Sequence, residues 1–210
     1  MKKSKTLIAL VLAGLMMTSC GGSKNGDDKE ETKQAAERPL TVAMATEIDS
    51  LDPFKTTAGD TKTMTDQIFD GLVDVDEDGN LAPDLAESYE ISEDGLTYNF
   101  KLKEGVKFHD GSDFSADDVY YTLDKLSGLT SGEPLSSKFT GIVEMKVISP
   151  TEITVKLKER DNSFIYLLTQ AMVKKDYEDN QNKPLGTGPY KFVSYTPGEG
   201  LILERFDDYH

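Results

Sequence analysis

A histidine stands beside an aspartate at His109–Asp110, within EGVKFHDGSDFSADDVYYTL (104–123), in a chain with only two histidines. An imidazole and a carboxylate can act as a base and its orienting group if a nucleophile lies within reach. The remaining sequence supplies no obvious nucleophile: there is no G-x-S-x-G, the one cysteine is Cys20, and the other imidazole, His210, is the last residue. With two isolated histidines, no H-E-x-x-H and no cysteine pair, no metal site and no cofactor is expected. GTGPY (186–190) has glycines but neither G-x-G-x-x-G nor G-K-[ST], which makes a weak phosphate loop. DVDEDGNLAPDL (74–85) imitates a calcium loop, with Asp74, Asp76, Asp78 and Gly79 at the first, third, fifth and sixth positions. Leu85, however, occupies the twelfth position, where a bidentate glutamate is required, and Pro83 the tenth. A turn rich in Asp and Gly between short strands accounts for the same letters. Paired carboxylates carry little information in a chain with 38 acidic residues. His109 therefore reads as part of a turn that delivers the chain into a helix; a secreted hydrolase using His109 is the alternative.

The ends of the chain narrow the class. Lys2, Lys3 and Lys5 precede an almost unbroken apolar run from Thr6 to Met17. That run is shorter than the roughly twenty residues a bilayer core requires, and residues 1–19 have the form of a secretory signal. It ends in MTSC, which resembles the bacterial lipobox: Cys20 would receive a diacylglyceryl group and become the mature N-terminus, with Met17 tolerated at the first lipobox position. A soluble secreted protein with an incidental Cys20 is the alternative. With one cysteine there is no intramolecular disulfide, so the fold relies on its core. Residues 20–38 contain no aromatic or branched aliphatic side chain and read as a flexible acidic tether. The formal charge is −15, and loss of the three leader lysines takes it to −18. Such a surface disfavours nucleic acid and anionic membrane as partners.

About 170 residues remain to fold. LTVAMA (40–45) is mostly apolar, as a strand buried on both faces would be. TKTMTDQIFDGLV places Met64, Ile68, Phe69 and Leu72 at helical spacing, with Gly71 near the helix end. LTYNFKL (96–102) alternates strictly, with Leu96, Tyr98, Phe100 and Leu102 on one face. GIVEMKVIS and EITVKLKE form a hairpin turned by Pro150, with Glu144, Lys146, Thr154, Lys156 and Lys158 on its wet side. Between these strands, Ser115 and Asp118 form a capping box for a helix that buries Val119, Tyr120, Leu123 and Leu126. NSFIYLLTQAM (162–172) reads as a short buried helix capped by Asn162 or Ser163. YKFVSY and LILERF form a last hairpin across TPGEG.

The order of these pieces is specific. LDPF, then IFDGLVDVDEDGNLAPDLAESYEISEDGLTYNFKLKEGVKFHDG, then GTGPY and LERFDDY, resembles the extracytoplasmic solute-binding proteins of family 5, from about Leu40 to the last residue. That family serves ABC importers of peptides, dipeptides, nickel and some other solutes. Tyr89 and His210 stand where it commonly has tryptophan.

The resemblance implies an α/β fold, periplasmic-binding-protein type II-like, of the class with an extra inserted domain. Residues 39–48 would be a first-lobe strand, 49–185 the inserted α+β domain, and 186–210 the return to the first lobe. Relatives are more than twice as long, so the resemblance implies an N-terminal fragment whose second lobe is absent. It also implies a monomeric substrate-binding lipoprotein, not an enzyme. Anchored through Cys20 on the extracytoplasmic face, it would capture oligopeptides or dipeptides and deliver them to permease subunits. Thr57, Ala58 and Gly59 correspond to residues touching ligand backbone, and Gln170, Ala171 and Met172 to the neighbourhood of a side-chain pocket. A nickel or other-solute binder of the same family is an alternative, and so is a surface adhesin or peptide sensor.

Overall fold

Period-two burial builds the central sheet. The computed structural model describes residues 40–210; the leader, Cys20 and the tether lie outside the described residues. Val42–His210 packs as one unit. Four antiparallel strands lie in the order β3 (Ala86–Ile91), β4 (Thr97–Leu102), β6 (Glu152–Leu157), β5 (Ile142–Ser149). Tyr98, Phe100 and Leu102 of β4 face the core with Ile153, Val155 and Leu157 of β6, as side chains two residues apart must. The opposite face is wet: Thr154 donates to the Asn99 side chain at 2.8 Å, and Lys101 meets Glu87 at 2.6 Å. In β5 the buried Ile142 and Met145 are three residues apart, because the register shifts between Ile142 and Glu144.

Helix α2 (Ala116–Ser127) covers the dry face beside β5 and β6. The Asp118 carboxylate accepts from the Ser115 amide at 2.8 Å and hydroxyl at 3.1 Å, completing the capping box. Its other oxygen accepts the Lys175 amide at 2.8 Å, so one buried acid ties the helix start to a distant loop. Gly128 ends α2 in the left-handed region, at φ 68°. Val119, Leu123 and Leu126 join Phe100, Phe108 and Phe164 in the main core; complete burial of a side chain of this size contributes about 1.5–3 kcal/mol.

A two-stranded ribbon, β1 (Val73–Val75) with β2 (Leu81–Pro83), occupies the stretch that imitates a calcium loop. Asp76 makes its turn, accepting the Asp78 and Asn80 amides at 3.0 and 2.8 Å. The last hairpin, β7 (Tyr190–Thr196) with β8 (Gly200–Arg205), is a separate two-stranded sheet.

Three expectations need correction. Residues 40–48 carry no strand: Val42 is exposed, and no described strand pairs with their backbone, the last hairpin reaching them through the Glu47 side chain. The first helix, α1, spans only Gly59–Thr65; Ile68 and Phe69 are buried from a turn that follows it, not from its face. The helix expected over 162–172 is one turn, α3 (Phe164–Leu167), after which the buried Leu168, Ala171 and Met172 lie outside regular structure. Among the described residues no helix is long and apolar enough to cross a membrane.

Candidate functional site

The loop after LDP is held by one acid. Asp49 Oδ2 accepts the Thr57 amide at 2.8 Å, the Thr57 hydroxyl at 2.7 Å and the Ala58 amide at 3.0 Å, while Oδ1 accepts the Ser50 amide at 3.0 Å. The Thr57 hydroxyl above all, helped by the Thr57 amide, Thr61 and the Ala58 amide, holds the Asp49 carboxyl well below the usual range against the opposing effect of burial. Asp52 fastens the other half of the loop by accepting the Phe54 amide at 3.0 Å and pairing with Lys55 at 2.9 Å. Thr57 and Gly59 are exposed, Ala58 is half-buried, and open space lies over Gly59. The loop thus offers a fixed backbone surface, with the Thr57 hydroxyl already committed to Asp49.

Gln170, Ala171 and Met172 meet this loop indirectly. The Gln170 side chain donates to the Pro53 carbonyl at 3.3 Å. Met172 is completely buried in the main core, its amide donating to the Asp70 carbonyl at 2.8 Å. Ala171 is buried with Ile68, Phe69 and Val173. Of the three, only Gln170 has a partly exposed side chain.

His109 lies elsewhere and is structural. Its Nε2 contacts the Gly188 carbonyl at 2.9 Å, its amide donates to the Gly186 carbonyl at 3.0 Å, and its ring packs edge-on against Phe206 at 5.0 Å. With Gly188 accepting, the proton sits on Nε2, and Nδ1 is buried without a partner among the described residues. Burial pushes the imidazole pKa down, outweighing the Gly188 contact. The glycines of GTGPY serve close approach: a Cβ on Gly186 would collide with the Ile68 carbonyl oxygen, and one on Gly188 would fall 2.6 Å from the carbon of that carbonyl. Thr187 between them is fully buried and donates to Asp70 at 2.8 Å.

Sequence reading missed one constellation. Asp70, Asp84 and His210 place their ligand atoms within 4.8 Å of one another, at the edge of a cleft of about 360 Å³ lined by Asp66, Asp74, Asp76 and Tyr209. Burial, then the neighbouring Asp70 charge, push the Asp84 carboxyl up to about 6. Burial and the same two acids push the Tyr209 phenol up. The three residues are far apart in the chain, so only the fold could show them as a group. A second cleft, lined by Glu144, Lys146, Thr154 and Lys156, lies on the wet face of the sheet. None of the six candidate ligand residues lines either cleft.

Residues 80–210 match the bacterial extracellular solute-binding proteins, family 5 (middle region). The chain belongs to this family. It is 30% identical to the glutathione-binding protein GsiB of Escherichia coli O1:K1 over 211 residues, which cover 97% of this chain and 39% of GsiB. NikZ from Campylobacter jejuni, solved in complex with Ni(L-His), is 29% identical with a TM-score of 0.71, over 79% of this chain and 35% of NikZ. The oligopeptide-binding protein AppA from Bacillus subtilis, solved with a nonapeptide, is 30% identical with a TM-score of 0.69, over 80% of this chain and 36% of AppA. The chain therefore spans 39% of the length of the curated relative it matches. The fold is α/β and corresponds to part of the type II periplasmic-binding architecture. Family 5 proteins bind solutes outside the cytoplasm and are not enzymes, which removes the hydrolase alternative for His109.

Proposed function

We propose that the chain supplies the N-terminal part of the substrate-binding lipoprotein of an ABC importer. It captures oligopeptides or dipeptides outside the membrane, closes by hinge motion and docks on permease subunits. In this reading residues 40–48 and 186–210 belong to the first lobe, residues 49–185 form the domain inserted into it, and the protein acts as a monomer. Cys20 carries the lipid that holds it on the extracytoplasmic face without crossing the membrane. The observation that carries the reading is the likeness to AppA, solved around a nonapeptide. The loop preset by Asp49 adds to it: its exposed backbone at Thr57–Gly59 suits a ligand held through main-chain contacts, with little ordering cost on binding. The Ni(L-His) complex of NikZ favours a second reading, a metal complex or other small solute in place of peptide.

Uptake measurements on cells carrying and lacking the gene test both. Loss of labelled di- and oligopeptide uptake on deletion supports the peptide reading. Loss of nickel–histidine or glutathione uptake with peptide uptake intact overturns it in favour of the second. Deletion that alters no uptake returns the protein to a surface adhesin or sensor. Labelled palmitate should enter the protein and be absent from Cys20→Ser; equal labelling of both rejects the anchor.

A further inference from the structure

His210 occupies an unusual place for a histidine. Its side chain is nine-tenths buried, with Nε2 between two carboxylates, 3.4 Å from Asp70 Oδ2 and 4.0 Å from Asp84 Oδ1. Both distances exceed a good N–H···O bond, about 2.7–3.2 Å. They are close to the spacing of donors that share one ion, because ligands about 2.0–2.2 Å from a tetrahedral metal lie about 3.3–3.6 Å apart. Asp70 keeps a supporting bond from Thr187, at 2.8 Å to the same Oδ2. Among the described residues nothing donates a hydrogen bond to the Asp84 carboxylate, although its side chain is only 16% exposed. Two carboxylates carry more negative charge than one imidazole can offset, and Asp66, Asp74 and Asp76 along the same cleft deepen the negative potential.

We propose that Asp70, Asp84 and His210 form a binding site for a divalent transition-metal ion, of which zinc is the representative. One imidazole nitrogen among three ligands selects this class over magnesium and calcium, which prefer all-oxygen sites. A modest inward movement from the present spacing, at most 4.8 Å between ligand atoms, closes the set and leaves a fourth position open to the cleft. The ion would act as a clip. Asp70 precedes β1, Asp84 joins β2 to β3, and His210 follows β8, so coordination would fasten the segment after the last hairpin to the ribbon. Lys103 opposes it: its ammonium lies 3.2 Å from His210 Nδ1. An ion on Nε2 requires the proton on Nδ1, so the lysine must turn away. Lys103→Gln offers a carbonyl to that Nδ1–H and should tighten the site.

The test is calorimetric titration of the 210-residue chain in a Cys20→Ser background, which excludes the thiol. The expected result is one Zn²⁺ per chain in the micromolar range, not displaced by millimolar Mg²⁺ or Ca²⁺. Asp84→Asn and His210→Gln, each checked for a native circular dichroism spectrum, should bind about tenfold or more weakly, and Lys103→Gln more tightly. Zn²⁺ should raise the melting temperature of the parent and of neither ligand variant. Absence of stoichiometric binding, binding unchanged in both folded variants, or displacement by Mg²⁺ or Ca²⁺ overturns the proposal.

Discussion

His109 shows how one residue can suggest chemistry and perform structure. Its imidazole bonds the Gly188 carbonyl, packs on Phe206 and leaves Nδ1 buried and bare. His109→Ala removes a hydrogen bond and an aromatic contact, which together contribute about 1–2 kcal/mol, and urea denaturation measures the loss. The pH dependence has a definite sign. The fold favours the neutral ring and lowers its pKa from 6.5, so the folded state binds fewer protons than the unfolded chain. The stabilising contribution is complete above pH 6.5 and declines as pH falls below it. Stability of the parent should decrease from that point downward, and the His109→Ala curve should be flatter there; parallel curves for the two reject the role. Asp110, next in sequence, works at lower pH. Burial raises its carboxyl, but Lys174 and Ser112 outweigh this and bring it to about 2. Its contribution is present above the ordinary 3.8 and is lost as pH falls towards 2. Adjacent residues therefore give two separate acid limbs.

At the scale of elements, legibility follows the range of the forces that decide each one. The alternation of β4, the Pro150 turn between β5 and β6, and the Ser115–Asp118 box of α2 are local, and all were readable. Asp118→Ala tests the box and its tie to the loop. It removes an acceptor buried at 6% exposure and serving the Ser115 and Lys175 amides, and should cost about 2–3 kcal/mol. A change below about 0.5 kcal/mol in urea denaturation, the level of an ordinary surface substitution, would show that the contacts are not limiting. The elements misjudged were those decided at a distance. Ile68 and Phe69 have helical spacing from Met64, but the turn that buries them is fixed by the backbone of GTGPY, whose Gly188 amide donates to Ile68 at 2.9 Å and whose Tyr190 amide donates to Gln67 at 3.0 Å. Nothing near residue 68 in sequence announces that contact. Gly188→Ala, placing a methyl 2.6 Å from the Ile68 carbonyl carbon, should therefore destabilise more than Gly59→Ala, where space is open. LTVAMA failed as a strand for the same reason: an apolar run records a preference for burial, while pairing needs a partner strand.

For the whole molecule, the candidate ligand residues were named from family likeness alone, because no motif in the sequence marks surfaces that come together in three dimensions. Asp49 holds Thr57 and Ala58, Gln170 reaches the same loop through Pro53, and Met172 stays in the core. The last hairpin is tied to the start of the unit by Glu47, which accepts the Tyr195 hydroxyl at 3.0 Å and the Gly198 amide at 3.1 Å. Val193 and Ile202 on that hairpin are 49% and 58% exposed. This is the surface expected of an element that continues a lobe in the proposed architecture. The consequence for binding is quantitative. A peptide held at micromolar affinity by a complete clamp has about −8.2 kcal/mol, and retaining half of that leaves about −4.1 kcal/mol, a millimolar complex. This chain aligns with only 36% of AppA. The 210-residue chain should therefore bind oligopeptides about a thousandfold more weakly than a relative with the whole clamp. Calorimetry with tri- to pentapeptides measures it: millimolar or undetectable binding is expected, whereas micromolar binding by this chain overturns the expectation.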